Sequence, residues 1–376
     1  MPIDELPYMK VVFPSTLAYL IGLNITGVKL FEQRNSSAIA HLFENKDSYF
    51  EFGKKMVYIG IAVSLGFPLI PESLFYFGLL LSNLKLVGAM YIMLSTNKHK
   101  WYWVITCLAF NSVGGFVDAV FHDLIIWMGY TFIIFFLVYK FSFRSKVLMF
   151  LTCLFLLFIL QSVKFEYRKK TFEKASEGAQ YMSDLFLDRL TNPDKILNSE
   201  NYENVVARLN QGRIIGFILN NIPSNQNFLQ GESITLALEA LVPRFLFPNK
   251  RIIAGGFDKF ALFTGRTLPK GTSMDISLVG EAYGNFGTVG GMVFLLLTGM
   301  GFSWSISKFL SYSNRFPSIV LWVPFVFFHI IKAESDFGSV VNQIVKSFIM
   351  LYLVIRVYSS ILIVPVKKEF IQSPSR

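Results

Sequence analysis

Long apolar runs constrain this chain more than any other feature. A helix needs about 20 predominantly apolar residues to cross a bilayer. Runs approaching or reaching that length lie near Val11–Phe31, Met56–Ile70, Leu74–Leu94, Trp101–Val117 and Leu124–Tyr139. Others follow near Val147–Val163, Val289–Ser307, Ile319–Ile331 and Val340–Val364. Asn24 and Thr26 interrupt the first, and Pro68, Pro71 and Glu72 force a tight break between the second and third. Of the 376 residues, 53% are hydrophobic, 40 are Phe and only 16% are charged, where a soluble chain carries about a quarter charged. The expected fold is all-α: a polytopic transmembrane helical protein of about nine spans. Those spans read as nearly free of charge at their middles.

Loop charges set the expected orientation, because short cytoplasmic loops collect Lys and Arg. Lys98 and Lys100, then Lys140, Arg144 and Lys146, then Lys308 and Arg315 mark three inner connections. The loop with Glu32, Arg34, Lys46, Lys54 and Lys55 and the tail with Lys367 and Lys368 also fall inside. The break at 68–72, the Phe121–Asp123 corner and the long segment Lys164–Asn285 fall outside. The chain thus divides into N-terminal spans over 1–163, a large external helical loop over 164–285, and C-terminal spans with a short cytoplasmic tail over 286–376. An odd count with an acidic outer start leaves open a further span upstream. The opening Met1-Pro-Ile-Asp-Glu lacks the basic region of a cleavable signal.

Net charge is +10, and the inner loops account for it. No basic block with interleaved aromatics stands apart from them, so nucleic acid is not an expected partner. Cys107 and Cys153 both lie in apolar runs. They cannot staple the external segment, and no Cys/His spacing fits a metal.

The external segment carries helical periodicity. Phe165, Phe172, Met182, Leu185, Phe186 and Leu190 recur toward a stop at Asn192–Pro193. A second amphipathic stretch runs from Ser199 to Asn221 before Pro223, and a third from Ser233 to Leu241 before Pro243. An irregular run punctuated by Gly and Pro continues to Gly287. Short helices lying at the membrane surface fit this pattern.

No phosphate-binding loop, His-Glu-x-x-His or Gly-x-Ser-x-Gly is present. Five external arginines stand out instead: Arg208, Arg213, Arg244, Arg251 and Arg266. Guanidinium is permanently charged and matches phosphate bidentately, which suits a diphosphate at a membrane surface. The same arginines would equally snorkel to headgroups or balance Asp184, Asp188 and Glu232. Asp275 and Glu281 lie in a Gly-rich stretch, 271–287, and offer carboxylates to orient or deprotonate a hydroxyl. The competing reading there is a flexible helix entry. His122 and Asp123 mark one outer corner; His329, Lys332, Glu334 and Asp336 mark another. Each corner alone reads as an ordinary polar helix end, yet all these groups fall on one side.

Arg208-Leu-Asn-Gln-Gly-Arg213, Leu241-Val-Pro-Arg-Phe-Leu-Phe-Pro-Asn-Lys250, Gly271-Thr-Ser-Met274 and Gly280-Glu-Ala-Tyr-Gly-Asn-Phe-Gly287 together resemble bacterial O-antigen polymerases, the Wzy-type oligosaccharide repeat-unit polymerases. The Phe121-His122-Asp123 corner also resembles one in such proteins, and the resemblance covers the layout from about Met56 to the C-terminus. It implies a GT-C-like, metal-independent glycosyltransferase of the bacterial inner membrane without a cofactor. Its partners would be undecaprenyl-diphosphate-linked oligosaccharide and membrane lipid, with a chain-length regulator and a flippase of the same polysaccharide pathway. Arg208, Arg213, Arg244, Glu281 and His122 would be catalytic. Arg251, Arg266, Gln211, Asp275, His329, Lys332 and Glu334 would bind substrate. An O-antigen ligase-like transferase, a flippase or other transporter, and a noncatalytic assembly scaffold are the alternatives.

Overall fold

The computed structural model describes residues 2–25, 36, 38–40, 42, 46–118, 121–171, 178–192, 212–242, 255–268 and 274–363. Among these residues every regular element is helical. The longer helices are α1 (Glu5–Ile25), α2 (Lys46–Leu65), α3 (Phe75–Leu94), α4 (Lys100–Asp118), α5 (Phe121–Val138) and α6 (Phe143–Thr171). Then come α7 (Gly178–Thr191), α8 (Gly212–Asn221), α9 (Glu232–Leu241), α10 (Gly255–Thr264), α11 (Leu278–Leu310) and α12 (Phe337–Val357). Four of them, α1, α3, α11 and α12, are long and apolar enough to cross a membrane, and a shorter apolar stretch covers Asp123–Val138. The protein is an all-helical membrane protein by this measure.

The core surrounds α3, which is apolar on every face and buried over nearly all of its second half. A helix hydrophobic all round must be surrounded by other elements. Here α2 packs along it, and α4, α5 and α12 complete the cage. Gly53 of α2 and Gly88 of α3 face each other at the crossing; a Cβ on Gly88 would stand 2.6 Å from the Gly53 carbonyl. Trp127 Nε1 is buried in this core without a hydrogen-bond partner among the described residues, whereas the Tyr91 hydroxyl is fully engaged. The Tyr91 hydroxyl donates to Ser318 Oγ at 2.6 Å and accepts from Trp322 Nε1 at 2.9 Å.

The apolar run expected to span over Ile319–Ile331 does not form one helix. It folds as a 3-10 turn (Ile319–Trp322), a four-residue α turn (Val323–Val326) and a second 3-10 turn (Phe328–Ile331). Pro324, which lacks an N–H, sits at the start of the middle piece. Ile319, Leu321, Trp322, Phe325, Val326, Phe327 and Phe328 are all buried. The run is apolar because protein surrounds it, and irregular backbone at membrane depth is tolerated only in such a setting.

Helix α6 continues to Thr171, past the expected span end at Val163, so the segment after the sixth apolar run starts as an unbroken extension. Helix α7 folds back on α6, where Leu185 joins Leu124, Ile159 and Val163. Helix α11 begins at Leu278, ahead of the expected Val289, and is interrupted at Gly287, whose φ of 68° and ψ of −167° only glycine adopts without strain.

Helix α1 lies against α11 through small residues. Gly22 meets the Leu296 carbonyl, and a Cβ on Gly299 would stand 2.6 Å from the Tyr19 carbonyl. Glycine at such a crossing lets two backbones approach where lipid supplies no hydrophobic drive. Gly299→Leu is expected to lower stability in detergent by about 1–3 kcal/mol through overpacking. Gly301→Ala, whose added methyl meets nothing within 4 Å, should leave the melting temperature level or raised. Thermal unfolding followed by intrinsic fluorescence checks both, and a wild-type melt for Gly299→Leu contradicts the close crossing.

Candidate functional site

Two helix N-termini meet at the centre of the site. Helix α11 is capped by Ser277, whose Oγ accepts from the Gly280 N–H at 3.2 Å. Ser277 holds φ 62° and ψ 156°, a sparsely populated backbone region costing about 1–3 kcal/mol. Its N–H donates to the Glu334 carbonyl at 2.9 Å, so bonds on both sides hold it there. Helix α12 is capped by Asp336, whose carboxylate accepts from the Ser339 N–H at 2.8 Å. The Phe337 N–H, left over at the helix start, donates to Glu281 Oε2 at 2.6 Å. Anionic side chains at both ends also complement the helix dipoles.

Lys259 of α10 reaches between these ends. Its Nζ donates to Asp336 Oδ1 at 2.7 Å and to Glu281 Oε1 at 3.5 Å. Glu281 Oε1 also accepts from Ser233 Oγ of α9 at 2.7 Å. Asn285 donates from Nδ2 to Ser233 Oγ and to the Glu281 carbonyl, both at 2.8 Å, and accepts from the Gly231 N–H at 3.0 Å. Glu281 is fully buried and Asp336 almost so. Burial alone would lower the Lys259 pKa, but Glu281 and then Asp336 more than offset it, and the net shift is upward. One lysine thus stands between two carboxyl groups.

Asp275 stands beside this network, half-buried in the run that enters α11. Burial pushes its carboxyl up to about 7, with Asp336 and Glu334 adding to the rise and Lys259 and Lys332 opposing it. Lys332 Nζ bonds Asp123 Oδ1 at 2.6 Å and lies 4.5 Å from the centre of the Phe328 ring. That ion pair joins the two polar corners seen in the sequence. His329 Nδ1 lies 2.9 Å from Ser335 Oγ.

A second feature is cationic. Arg266 stacks 4.0 Å from the centre of the Phe217 ring, and Arg213 lies 5.7 Å from the same centre. Both guanidiniums sit on exposed residues, and neither has a carboxylate partner among the described residues. Helix α8 presents Arg213 outward and Ile215 and Ile218 inward, and it packs on α10 and α11. Asn221 Nδ2 donates to the Phe263 carbonyl at 3.1 Å, tying α8 to α10. Helix α10 therefore delivers Lys259 to the acid network and leads, through Gly265, to Arg266.

The sequence expectations distribute as follows. Arg213 and Arg266 are brought together on one ring. Asp275, Glu281, Lys332 and Glu334 gather around the two helix starts, with His329 one turn before Lys332. Arg208, Gln211, Arg244 and Arg251 lie outside the described residues, as does the side chain of His122. Lys259 and Ser233 were not anticipated. Both fall on the apolar face of their short helices, Lys259 with Gly256, Phe260 and Phe263, and Ser233 with Leu236 and Ala237. The i, i+3, i+4 spacing was the available signal.

The expectation of charge-free span middles needs correction at two places. Lys346 lies midway along α12, with its Nζ 4.5 Å from the centre of the Tyr76 ring. Lys85 lies midway along α3 and is buried, donating from Nζ to Ser64 Oγ and to the Ser82 carbonyl, each at 3.0 Å. The helix stays apolar enough to span because this one amine is satisfied by neighbouring oxygens.

Residues 17–365 match the family described as Domain of unknown function (DUF8712). The chain belongs to that family. No curated protein and no solved structure matches it. The arrangement of residues therefore carries the chemical argument: an acid network with one carboxyl poised near neutrality, and a stacked arginine pair open to an anion.

Lys259→Met should destabilise the protein by about 3–5 kcal/mol, because it strands two buried carboxylates. Thermal or denaturant unfolding in detergent measures this, and a change below about 1 kcal/mol contradicts a shared lysine. Asp275 carries the opposite sign. Its folded pKa lies above the ordinary value, so the native state holds the extra proton and stability falls as pH rises between about 4 and 7. Asp275→Asn should therefore melt with a smaller decline than wild type from about pH 5 to pH 8. Identical declines would show that Asp275 titrates normally.

Proposed function

We propose that this protein transfers glycan between lipid-linked oligosaccharides, polymerising undecaprenyl-diphosphate-linked repeat units into O-antigen or exopolysaccharide. In this reading it is a GT-C-like glycosyltransferase with about nine passes through the bacterial inner membrane. The segment 164–285 then lies on the periplasmic face. The observation that carries the reading is the pair Arg213 and Arg266 on Phe217, without a carboxylate partner among the described residues. An arginine that is not needed to balance a protein carboxylate can take up phosphate charge, and two on one surface suit a diphosphate.

Charge segregation supports the assignment of roles. The network of Lys259, Glu281 and Asp336 holds its own cation between two carboxyl groups, so Arg213 and Arg266 are the cations left to a diphosphate. Sugar hydroxyls, in contrast, bond readily to carboxylates and amides. The donor would place its diphosphate at the arginines as negative charge develops on the leaving oxygen. The acceptor sugar would lie toward Asp275. Arg208, Arg244 and Arg251 join the same set on the sequence argument alone.

A second reading, a transporter of lipid-linked glycan, draws on buried Lys85 within α3 and on the interruption of α11 at Gly287. Intramembrane charge and discontinuous helices mark transport pathways. The arginine pair favours transfer, since α8 and α10 are too short to span. A ligase-like transferase would share the diphosphate site and differ in acceptor.

Deleting the gene in its host should leave glycan of a single repeat and abolish the longer ladder on a gel. Arg213→Ala and Arg266→Ala, restored at normal protein level, should each cut long glycan on the order of 10²-fold. An unchanged ladder in the deletion removes the polymerase reading. Loss of even the single repeat from its acceptor assigns the ligase instead.

A further inference from the structure

We infer that Asp275 is the catalytic base of this site, taking the proton from the acceptor hydroxyl as that oxygen attacks the donor sugar. The inference rests on the transfer reading above and adds to it the identity of the reacting carboxylate.

Availability singles out Asp275 among the carboxylates of this site. Glu334 has an interaction of its own, and three further carboxylates gathered here are committed. Glu281 is fully buried and accepts from Ser233, Lys259 and the Phe337 N–H. Asp336 accepts from Lys259 and caps α12, and Asp123 holds Lys332. Using any of them as a base would dismantle the contacts that build the site. Asp275 has neither a hydrogen bond nor an ion pair to a described residue, yet its backbone is fixed. Two residues on, Ser277 is bonded to Glu334 and to Gly280 in a strained conformation that its neighbours over-determine. A held backbone with an unengaged, half-buried carboxylate is what proton abstraction requires.

The groups facing Asp275 tune it. Asp336 and Glu334 hold its proton on, with burial the larger cause, while Lys259 and Lys332 draw it off. The carboxyl consequently changes charge near neutral pH, where a base is most effective. In the step itself, the acceptor oxygen bonds to the anomeric carbon. The bond from that carbon to the diphosphate oxygen breaks, and its electron pair leaves on the diphosphate. The hydroxyl proton passes to Asp275 and then to water. Glu281 and Lys259 act as positioning residues through the start of α11.

The test uses membranes of the deletion strain, which supply the host's own lipid-linked repeat, mixed with purified protein over about pH 5.5–8.5. Wild type should elongate the glycan with a rate that rises through about pH 7. Asp275→Asn should fall by about 10²-fold or more and lose that rise, while Asp275→Glu keeps measurable elongation with a shifted profile. If Asp275→Asn elongates at the wild-type rate and pH profile, Asp275 is not the base and the transfer reading stands. If wild type itself fails to elongate, both fall. Should Asp275→Asn accumulate poorly, Asp275→Glu decides: a wild-type pH profile overturns the inference, since moving the carboxyl by one methylene must change a proton transfer made by it.

Discussion

A single ammonium shared by two buried carboxylates holds this site together. Lys259 closes a loop of contacts among α9, α10, α11 and α12, four helices that sequence order alone does not bring to one point. Burying three charges is costly by several kcal/mol each before pairing. The cost is tolerable here because almost every lone pair is used: Ser233, the Phe337 N–H and the Ser339 N–H complete what the lysine leaves open. Removing the lysine's partners would leave helix starts uncapped as well as a charge unpaired. Stability and site geometry are therefore the same set of bonds.

The rest of the chain supplies a frame that needs no such bonds. Around α3 the side chains are apolar and tightly interlocked, and the crossings depend on glycine. Small residues matter more in this setting than in a soluble protein, since hydrophobic burial gives little advantage over lipid and close backbone packing must replace it. The same reasoning explains Ile319–Ile331. Its apolar character reflects neighbours on all sides, and the 3-10 turns leave their backbone groups inside the protein rather than against lipid.

Much of this was legible in the residues, and the failures share one cause. Helix α3 begins one residue from the expected Leu74 and ends at Leu94, and the expected helix at Ser233–Leu241 became Glu232–Leu241. Local periodicity was enough for both. Helix α10 lies in the run that Gly and Pro punctuation marks as irregular, and Lys259 has no part in that reading. That lysine makes sense only with Glu281 and Asp336, which lie 22 and 77 residues further on. The run at Ile319–Ile331 has the hydropathy of a span, and Pro324 is its one proline. Arg213 and Arg266 were individually noticed, but their meeting on Phe217 is a product of packing between α8 and α10.

That packing has a consequence for how the two charged regions work together. The acid network and the arginine pair make no ion pair with each other among the described residues, and the apolar cluster of Ile218, Ile222, Phe263 and Ile276 joins α8, α10 and the run into α11. Direct pairing would cancel both fields and leave an inert salt-bridge network. Separation by apolar side chains keeps an exposed arginine pair and a buried cluster of carboxyl groups on one set of packed helices. Helix α10 spans the divide, with Lys259 on its buried face and Arg266 just past its C-terminal glycine. A shift of α10 would therefore alter both regions at once, which in the proposed transfer would tie the placement of the leaving diphosphate to that of the group meeting its replacement.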